Sequence, residues 1–185
     1  MALGDIRLLG RPAAEGFIRS RAYFLFLAIL GIQGFHLLEH VLQVTQRYAL
    51  GIANGNGIVG SVAEIEPVHL IYNTAYLALL FATYVSLGLH HGAAPFGGAV
   101  HRLLTFALGF QAFHVIEHEF KILQYIQLGF QNGTGGIFGI GPGGVFPLFP
   151  IPLLHLAYNA LAYLPAVLAF FLLVRQPRFE PAAPR

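Results

Sequence analysis

Gly31-Ile-Gln-Gly-Phe-His-Leu-Leu-Glu-His40 and Gly109-Phe-Gln-Ala-Phe-His-Val-Ile-Glu-His118 are two versions of one motif, and they lie 78 positions apart. After an eight-residue insertion the offset becomes 86, so that His69-Leu-Ile-Tyr-Asn73 falls on His155-Leu-Ala-Tyr-Asn159. Matches that follow each other in the same order predict a tandem internal repeat. Each copy carries the His-x-x-Glu-His motif and, later, a third His.

The whole chain is strongly apolar. Hydrophobic residues make up 56% of its 185 residues and charged residues only 10%, with a mean hydropathy of +0.67. A soluble domain devotes about a quarter of its residues to charged side chains, so the composition predicts that most of the surface faces lipid. A spanning helix needs about 20 apolar residues. Four stretches satisfy this requirement: residues 22–48, 68–89, 103–128 and 151–174.

These stretches predict the fold class: an all-α integral membrane protein, with a four-helix transmembrane bundle made of two tandem parallel two-helix repeats. Both copies would enter the bilayer in the same direction and be related by a pseudo-twofold axis along the membrane normal. The predicted order is an interfacial N-terminal segment, a first repeat, a cytoplasmic linker, a second repeat and a cytoplasmic tail. These segments are residues 1–19, 20–90, 91–102, 103–175 and 176–185.

Arginine placement predicts the orientation in the membrane. Eight arginines lie next to the same ends of the spans: Arg7, Arg11, Arg19, Arg21, Arg102, Arg175, Arg178 and Arg185. The opposite loops, residues 50–67 and 129–150, contain Glu64 and Glu66 and no Lys or Arg. By the positive-inside rule both termini are therefore cytoplasmic. We expect a bacterial-type inner (plasma) membrane, and residues 1–19 lack the features of a signal peptide.

The residue types that are absent exclude several kinds of chemistry. The chain has no Cys, which removes disulfides, thiolate metal sites and Cys nucleophiles. The calculated pI is near 9.1, but no basic patch with interleaved aromatic residues is present, so nucleic acid is not an expected partner. The expected partners are the lipid bilayer and a hydrophobic small-molecule substrate. Membership of a larger membrane complex is left open.

Both motifs place ionisable residues on one helical face. At about 100° per residue, Gln33, His36, Glu39 and His40 fall within an arc of about 120°. Ionisable residues inside a bilayer cost several kcal/mol unless they are paired, and a metal ion bound by neighbouring helical positions removes that cost. The predicted metal ligands share one depth in the outer half of the bilayer. They are His36, Glu39, His40, His69, His114, Glu117, His118 and His155.

We expect two transition-metal ions per chain, because the two copies carry equal ligand sets. In a shared dinuclear centre, Glu39 and Glu117 could be terminal ligands or bridge the ions. The other arrangement left open is one metal ion on the twofold axis, with the remaining groups supporting its ligands. Nitrogen-rich donors with carboxylates suit iron first and copper or zinc next, and do not suit calcium or magnesium. Imidazole ligands usually need a partner for their second ring nitrogen. The predicted supporting and bordering residues are Gln33, Gln111, Asn73, Asn159, Tyr72 and Tyr158.

Two other interpretations of the polar stripes stay open. One is a haem held by an axial pair, either His36 with His114 or His40 with His118. The other is a metal-free polar network that joins the helices. The string His-x-x-Glu-His also occurs in inverzincin peptidases, but five residues are a weak match and here the string is duplicated inside apolar helices. We therefore draw no kinship from it.

A metal centre inside lipid predicts an oxidoreductase of the hydroxylase, desaturase or oxidase type. In ligand type only, the site resembles the His-rich di-iron centres of membrane fatty-acid desaturases and hydroxylases, whose spaced His boxes are absent here. The alternatives are a divalent-metal carrier, a zinc-dependent membrane hydrolase and a haem-binding electron-transfer subunit. A carrier is disfavoured because the ligands form one layer and no Pro interrupts the first three spans.

The two copies differ beside the motif. Lys121 is the only lysine and follows Glu119 by two residues, where the first copy has Gln43 and Val41. The difference predicts either a place where the second half binds a substrate or partner, or an interfacial pair whose charges reach the membrane surface. Three further histidines, His90, His91 and His101, have no counterpart in the other copy and are expected to be solvated.

Overall fold

Four long helices form the part of the chain that the structure describes. The computed structural model describes residues 11–60, 65–91, 98–131 and 133–175, with side chains from residue 21 to residue 174. The helices are α1 (Arg11–Val44), α2 (Glu66–Ser86), α3 (Gly98–Gln127) and α4 (Ile151–Arg175). A π-helical turn, Thr45–Ala49, extends α1. The predicted N-terminal segment lies in part, and the tail wholly, outside the described residues.

Local sequence explains where the helices begin and end. Pro67 occupies the first turn of α2, where its fixed φ suits a helix and its missing N–H is not needed. Gly88 follows the end of α2 with φ 69°, a left-handed conformation that glycine adopts without a Cβ penalty. The N–H of Leu87 and that of Gly88 close this turn on the carbonyls of Thr83 and Val85.

The helices form a closed four-helix bundle. Each helix packs against two neighbours, α1 on α2, α2 on α3, α3 on α4 and α4 on α1, so α1 and α3 lie across the diagonal. At the other end of the bundle from the short connection Leu87–His91, residues 50–60 and 128–150 connect the helices. The second of these connections contains two short strands, β1 (Gly139–Ile140) and β2 (Phe149–Pro150). They pair in parallel, with Gly139 opposite Phe149.

The bundle is apolar on the outside along its whole length. Phe24 is 66% exposed and Ile71 is 70% exposed, and large exposed apolar surfaces on a soluble monomer are rare. All four helices are long and apolar enough to cross a membrane: Arg21–Ala49, Glu66–Ser86, Gly98–Gln127 and Ile151–Val174. Length, composition and exposure together indicate an integral membrane protein, as predicted.

The inside of the bundle is divided into two halves. In the half near Arg21 and the connection after α2, buried apolar side chains such as Phe26, Tyr76, Leu80 and Leu104 pack together. In the other half, most of the buried residues are polar or charged. The helices therefore enclose a polar interior at one end only, and all the predicted ligands lie there.

Candidate metal centre

Six histidines come together in the polar half of the bundle. His36 and His40 are one turn apart on α1, with 3.3 Å between their Nε2 atoms, and His114 and His118 on α3 are separated by 3.2 Å in the same way. The remaining two rings, His69 and His155, lie within the first two turns of α2 and α4. None of the six is more than 9% exposed, so the structure gathers every predicted His ligand into one buried cluster.

The rings of the six histidines form a continuous set across the bundle. The His69 ring lies 5.9 Å from that of His40, 5.5 Å from that of His118 and 5.5 Å from that of His155. The rings of His40 and His155 are 5.4 Å apart. Histidines that are far apart in sequence therefore meet because four helices present them at one depth.

Three of these histidines have donor atoms placed so that together they could hold a metal ion. His36, His40 and His69 each offer a ring nitrogen, and the three nitrogens lie within 4.8 Å of one another. Among the described residues they are the one group of this kind. Two nitrogens bound at about 2.0–2.1 Å in a tetrahedral site are separated by about 3.3 Å, the separation found between His36 and His40. We call His36, His40 and His69 the first triad.

A glutamine orients one ring of the first triad. Nδ1 of His40 lies 2.8 Å from Oε1 of Gln43, and because that oxygen only accepts, Nδ1 must carry the proton. The Nε2 lone pair of His40 then faces the cluster, as a ligating imidazole requires. Sequence reasoning did not assign this role to Gln43. The spacing of three residues from His40 was the available indication.

The two predicted carboxylate ligands, Glu39 and Glu117, accept hydrogen bonds from backbone N–H groups of the loops. Glu39 accepts hydrogen bonds from the backbone N–H groups of Ile58 at 2.7 Å and Val59 at 3.1 Å, and it is not part of the triad. Gly57 lies against this carboxylate with φ 72°, and a Cβ at that position would overlap it. Charge-assisted bonds to amide groups satisfy a buried carboxylate without a metal ion. Glu39 therefore binds the loop that follows α1, residues 50–60, next to the cluster.

Glu117 binds the loop that follows α3 in the same manner. It accepts hydrogen bonds from the N–H groups of Ile137 at 2.8 Å and Phe138 at 3.4 Å. Gly136 fits against its carboxylate with φ 66°. Within the part of the chain that the structure describes, the buried Oε2 atom of Glu117 has no hydrogen-bond partner, so one oxygen of this carboxylate is still available to a ligand.

The predicted supporting amides contact each other and the backbone. Nε2 of Gln33 donates to Oδ1 of Asn159 at 2.5 Å, which joins α1 to α4, and Gln111 donates to Asn73 at 3.1 Å, which joins α3 to α2. Asn73 and Asn159 in turn donate to the carbonyls of the two histidines that precede them by four residues. This amide layer holds the helical turns that carry His69 and His155.

The predicted tyrosines border the cluster on its sides. Tyr72 stacks on His36 with ring centroids 4.3 Å apart, and its hydroxyl donates to the carbonyl of Ile32. Tyr158 meets His114 edge-on at 5.1 Å, and its buried hydroxyl has no hydrogen-bond partner among the described residues. Both tyrosines therefore position an imidazole through ring contact.

Sequence reasoning missed a buried ion pair beside the cluster. Nζ of Lys121 lies 2.9 Å from Oε1 of Glu66 and 3.3 Å from Nε2 of His155, and Oε2 of Glu66 lies 3.9 Å from Nδ1 of His118. Lys121 and Glu66 are each 2% exposed. Two indications were available: Lys121 continues the stripe of the second motif, and Pro67 predicts a helix start at Glu66.

A cavity of about 90 Å³ lies against this ion pair on the side of the long loops. It reaches two histidines of the cluster, and six of its nine lining residues have polar or charged side chains. The residues that line it are Gln43, Arg47, Glu66, His69, Lys121, Gly133, Ile151, Pro152 and His155. The cluster therefore has a cavity beside it at the loop end of the bundle.

No family model, curated protein or solved structure matches the chain. The function of the cluster must therefore be argued from its own geometry.

Proposed function

We propose that this protein is a membrane-embedded oxidoreductase whose redox-active metal ion is held by His36, His40 and His69. The observation that supports the proposal is the first triad itself, three buried ring nitrogens within 4.8 Å of one another. Buried histidines in an apolar helix bundle need a partner for each ring nitrogen. A metal ion would satisfy three of them at once.

Copper or iron is the metal that we propose for this site. All three donors are imidazoles, since Glu39 bonds the loop amides, and imidazole suits copper, iron and zinc. Because this donor set contains no carboxylate, we favour copper more than the sequence did, which placed iron first. Bound copper or iron supplies one-electron chemistry. The first triad leaves a fourth coordination position open, as catalytic sites do.

Matched contacts support the proposal that the two helix pairs are tandem repeats. The N–H of Gly57 donates to Oε1 of Gln46 at 2.8 Å, and the N–H of Gly136 donates to Oε1 of Gln124 at 2.7 Å. In each pair the glutamine amide also donates back to the glycine carbonyl. Together with the two loop-binding glutamates, these contacts support a repeat in which each half is a helical hairpin whose loop is bound to its first helix.

We propose that the His cluster lies in the outer half of a bacterial-type inner membrane, with both termini cytoplasmic. Arg21 and Arg102 lie near the apolar end of the bundle, and the His cluster lies near the other end. Arg47 is an exception at the loop end, where its Nε donates to the carbonyl of Gly55 at 3.1 Å. Its charge is thus tied into the first outer loop.

The surroundings of the cluster favour a resident centre over a carrier. Between the histidines and the Arg21 end lie the amide layer and the apolar half, where Phe26 and Leu80 are at most 1% exposed. A cation would have no polar path beyond the amide layer. Water and protons can instead reach His69 and His155 through the cavity at the loop end.

We propose that a hydrophobic substrate approaches from the bilayer beside Tyr72. At 9% exposure, His36 is the most exposed histidine of the cluster, and the half-buried Tyr72 stacks on it. This places the edge of the first triad next to the seam between α1 and α2. A lipid tail, terpenoid or quinone would meet apolar side chains on both sides of this seam, such as Phe35 and Ile71.

Metal analysis of the purified full-length protein in detergent tests the proposal. We expect bound copper or iron with an electron paramagnetic resonance signal that disappears and returns on reduction and reoxidation. His69→Ala should lose most of the metal. The matched control, His90→Ala, alters an exposed His outside the cluster and should keep it. Zinc alone would overturn the redox assignment, a Soret band would favour haem, and metal-free protein would support a polar network.

A further inference from the structure

We propose that the ammonium group of Lys121 takes the place of a second metal ion, so that the centre binds one ion per chain. This inference rests on the proposed function, in which the first triad holds a metal. His114, His118 and His155, called here the second triad, correspond in sequence to the first triad. The repeat alone therefore predicts two ions, and the geometry around Lys121 points to one.

Lys121 uses the lone pair that a second metal would need. Its Nζ lies 3.3 Å from Nε2 of His155, and because an ammonium group only donates, that nitrogen accepts the hydrogen bond. A ring nitrogen whose lone pair receives a proton donor does not ligate a metal at the same time. The corresponding His69 belongs instead to the first triad.

Glu66 supplies the negative charge that makes a buried ammonium tolerable. It pairs with Lys121 at 2.9 Å, and both side chains are almost fully buried. Removing one member of a buried ion pair leaves an uncompensated charge and is strongly unfavourable. The Glu66 carboxylate also lies 3.9 Å from Nδ1 of His118, so the pair engages the second triad at two of its three rings.

Each member of the ion pair has a neutral residue at the equivalent position of the other half. Gln43 stands where the second half has Lys121, and Pro152 stands where the first half has Glu66. Gln43 orients His40 by accepting from its Nδ1, which favours ligation, whereas Lys121 brings a positive charge. These two sequence differences between the halves therefore distinguish a triad that binds a metal ion from a triad that binds an ammonium group.

Electrostatic repulsion supports the same conclusion. The rings of the two triads are adjacent. The centroid of the His69 ring lies 5.5 Å from that of His118 and 5.5 Å from that of His155. Two divalent ions and an ammonium group would then lie within a few ångströms of one another. Their repulsion would be strong because the region has a low dielectric constant, and one anionic side chain contacts the ammonium group. A single ion beside the Lys121–Glu66 pair leaves a smaller excess of charge.

The test is the metal-to-protein ratio after full-length protein in detergent is equilibrated with excess Cu²⁺ and gel-filtered. We expect a ratio of one for the wild type, two for Lys121→Gln and one for the charge-preserving control Lys121→Arg. Gln43→Lys should lower the ratio to zero, whereas Gln43→Met, which removes the acceptor without adding charge, should weaken binding by 10- to 100-fold at most. Two close Cu²⁺ ions in Lys121→Gln should also broaden or cancel the paramagnetic signal.

A ratio of two for the wild type would overturn this inference and leave the proposed function intact. A ratio of one in folded Lys121→Gln protein would also overturn it. Wild-type protein that binds no metal would overturn the proposed function instead, and the inference with it. If Lys121→Gln does not assemble, the wild-type ratio together with that of Gln43→Lys still decides between one ion and two.

Discussion

The glutamates of the two motifs show how a residue's role depends on its partner and not on its type. Glu39 occurs in a metal-binding pattern, one residue before His40 and three after His36. Its carboxylate nevertheless accepts from two loop amides at 2.7 Å and 3.1 Å. Amide groups of a tight loop offer a buried carboxylate the same compensation that a cation would.

Glu39→Gln should separate these two roles. If the carboxylate anchors the loop, the variant keeps its metal and loses about 1.5–3 kcal/mol of stability, the value of a hydrogen bond to a charged group. Denaturant titration in detergent and metal analysis measure the two quantities. The control is Glu119→Gln, which alters an exposed carboxylate two residues after Glu117 and should change neither. Loss of metal in Glu39→Gln at unchanged stability would restore Glu39 as a ligand.

At the scale of the elements, the amide layer determines which helices are neighbours. Gln33 on α1 reaches Asn159 on α4, and Gln111 on α3 reaches Asn73 on α2. Each bond therefore crosses between the two proposed repeats. Because apolar packing barely distinguishes one helix from another in lipid, hydrogen bonds between polar side chains contribute specificity to the pairing.

Asn159→Ala should weaken the α1–α4 contact by about 1 kcal/mol, because it leaves the Gln33 amide without its acceptor. Unfolding by a denaturing detergent, followed by circular dichroism, measures the change. Asn54→Ala is the control. Asn54 is exposed in the loop that follows α1, and its replacement should have little effect on stability. Equal stability of both variants would contradict a structural role for the amide layer.

At the scale of the whole molecule, the interior of the bundle changes from apolar to polar along the bundle axis. One half of the bundle is closed by apolar side chains, and the other half contains the histidines, the ion pair and the cavity. Lipid-facing surfaces cover both halves. A polar interior of this size is compatible with the bilayer because it is enclosed by the helices and opens toward the loops.

The proposed orientation can be measured with cysteine labelling, because the chain has no native Cys. Ala53→Cys introduces an exposed thiol into the first outer loop, and His90→Cys introduces one at the other end of the bundle. In intact cells a membrane-impermeant maleimide should label Ala53→Cys only, and both variants should react after permeabilisation. Labelling of His90→Cys alone in intact cells would invert the topology.

The sequence by itself determined the features that depend on local spacing and on the solvent. Four spans follow from the length of apolar segments that lipid requires, and each predicted span falls on one helix. The histidine cluster could also be predicted. Residues four apart share a helical face, and ionisable groups inside a bilayer are costly unless they are paired. Neither inference needs knowledge of which helices touch.

Only the tertiary structure decided which polar group each side chain meets. Glu39 bonds to amides 19 and 20 residues further along the chain, so its partner depends on the path of a glycine-containing loop that the helical pattern does not encode. Lys121 and Glu66 come from α3 and α2, and their contact depends on the packing of those two helices. Hydrophobic patterning determines that a side chain points inward. The distances between inward-pointing groups are determined by how the helices and loops close around them.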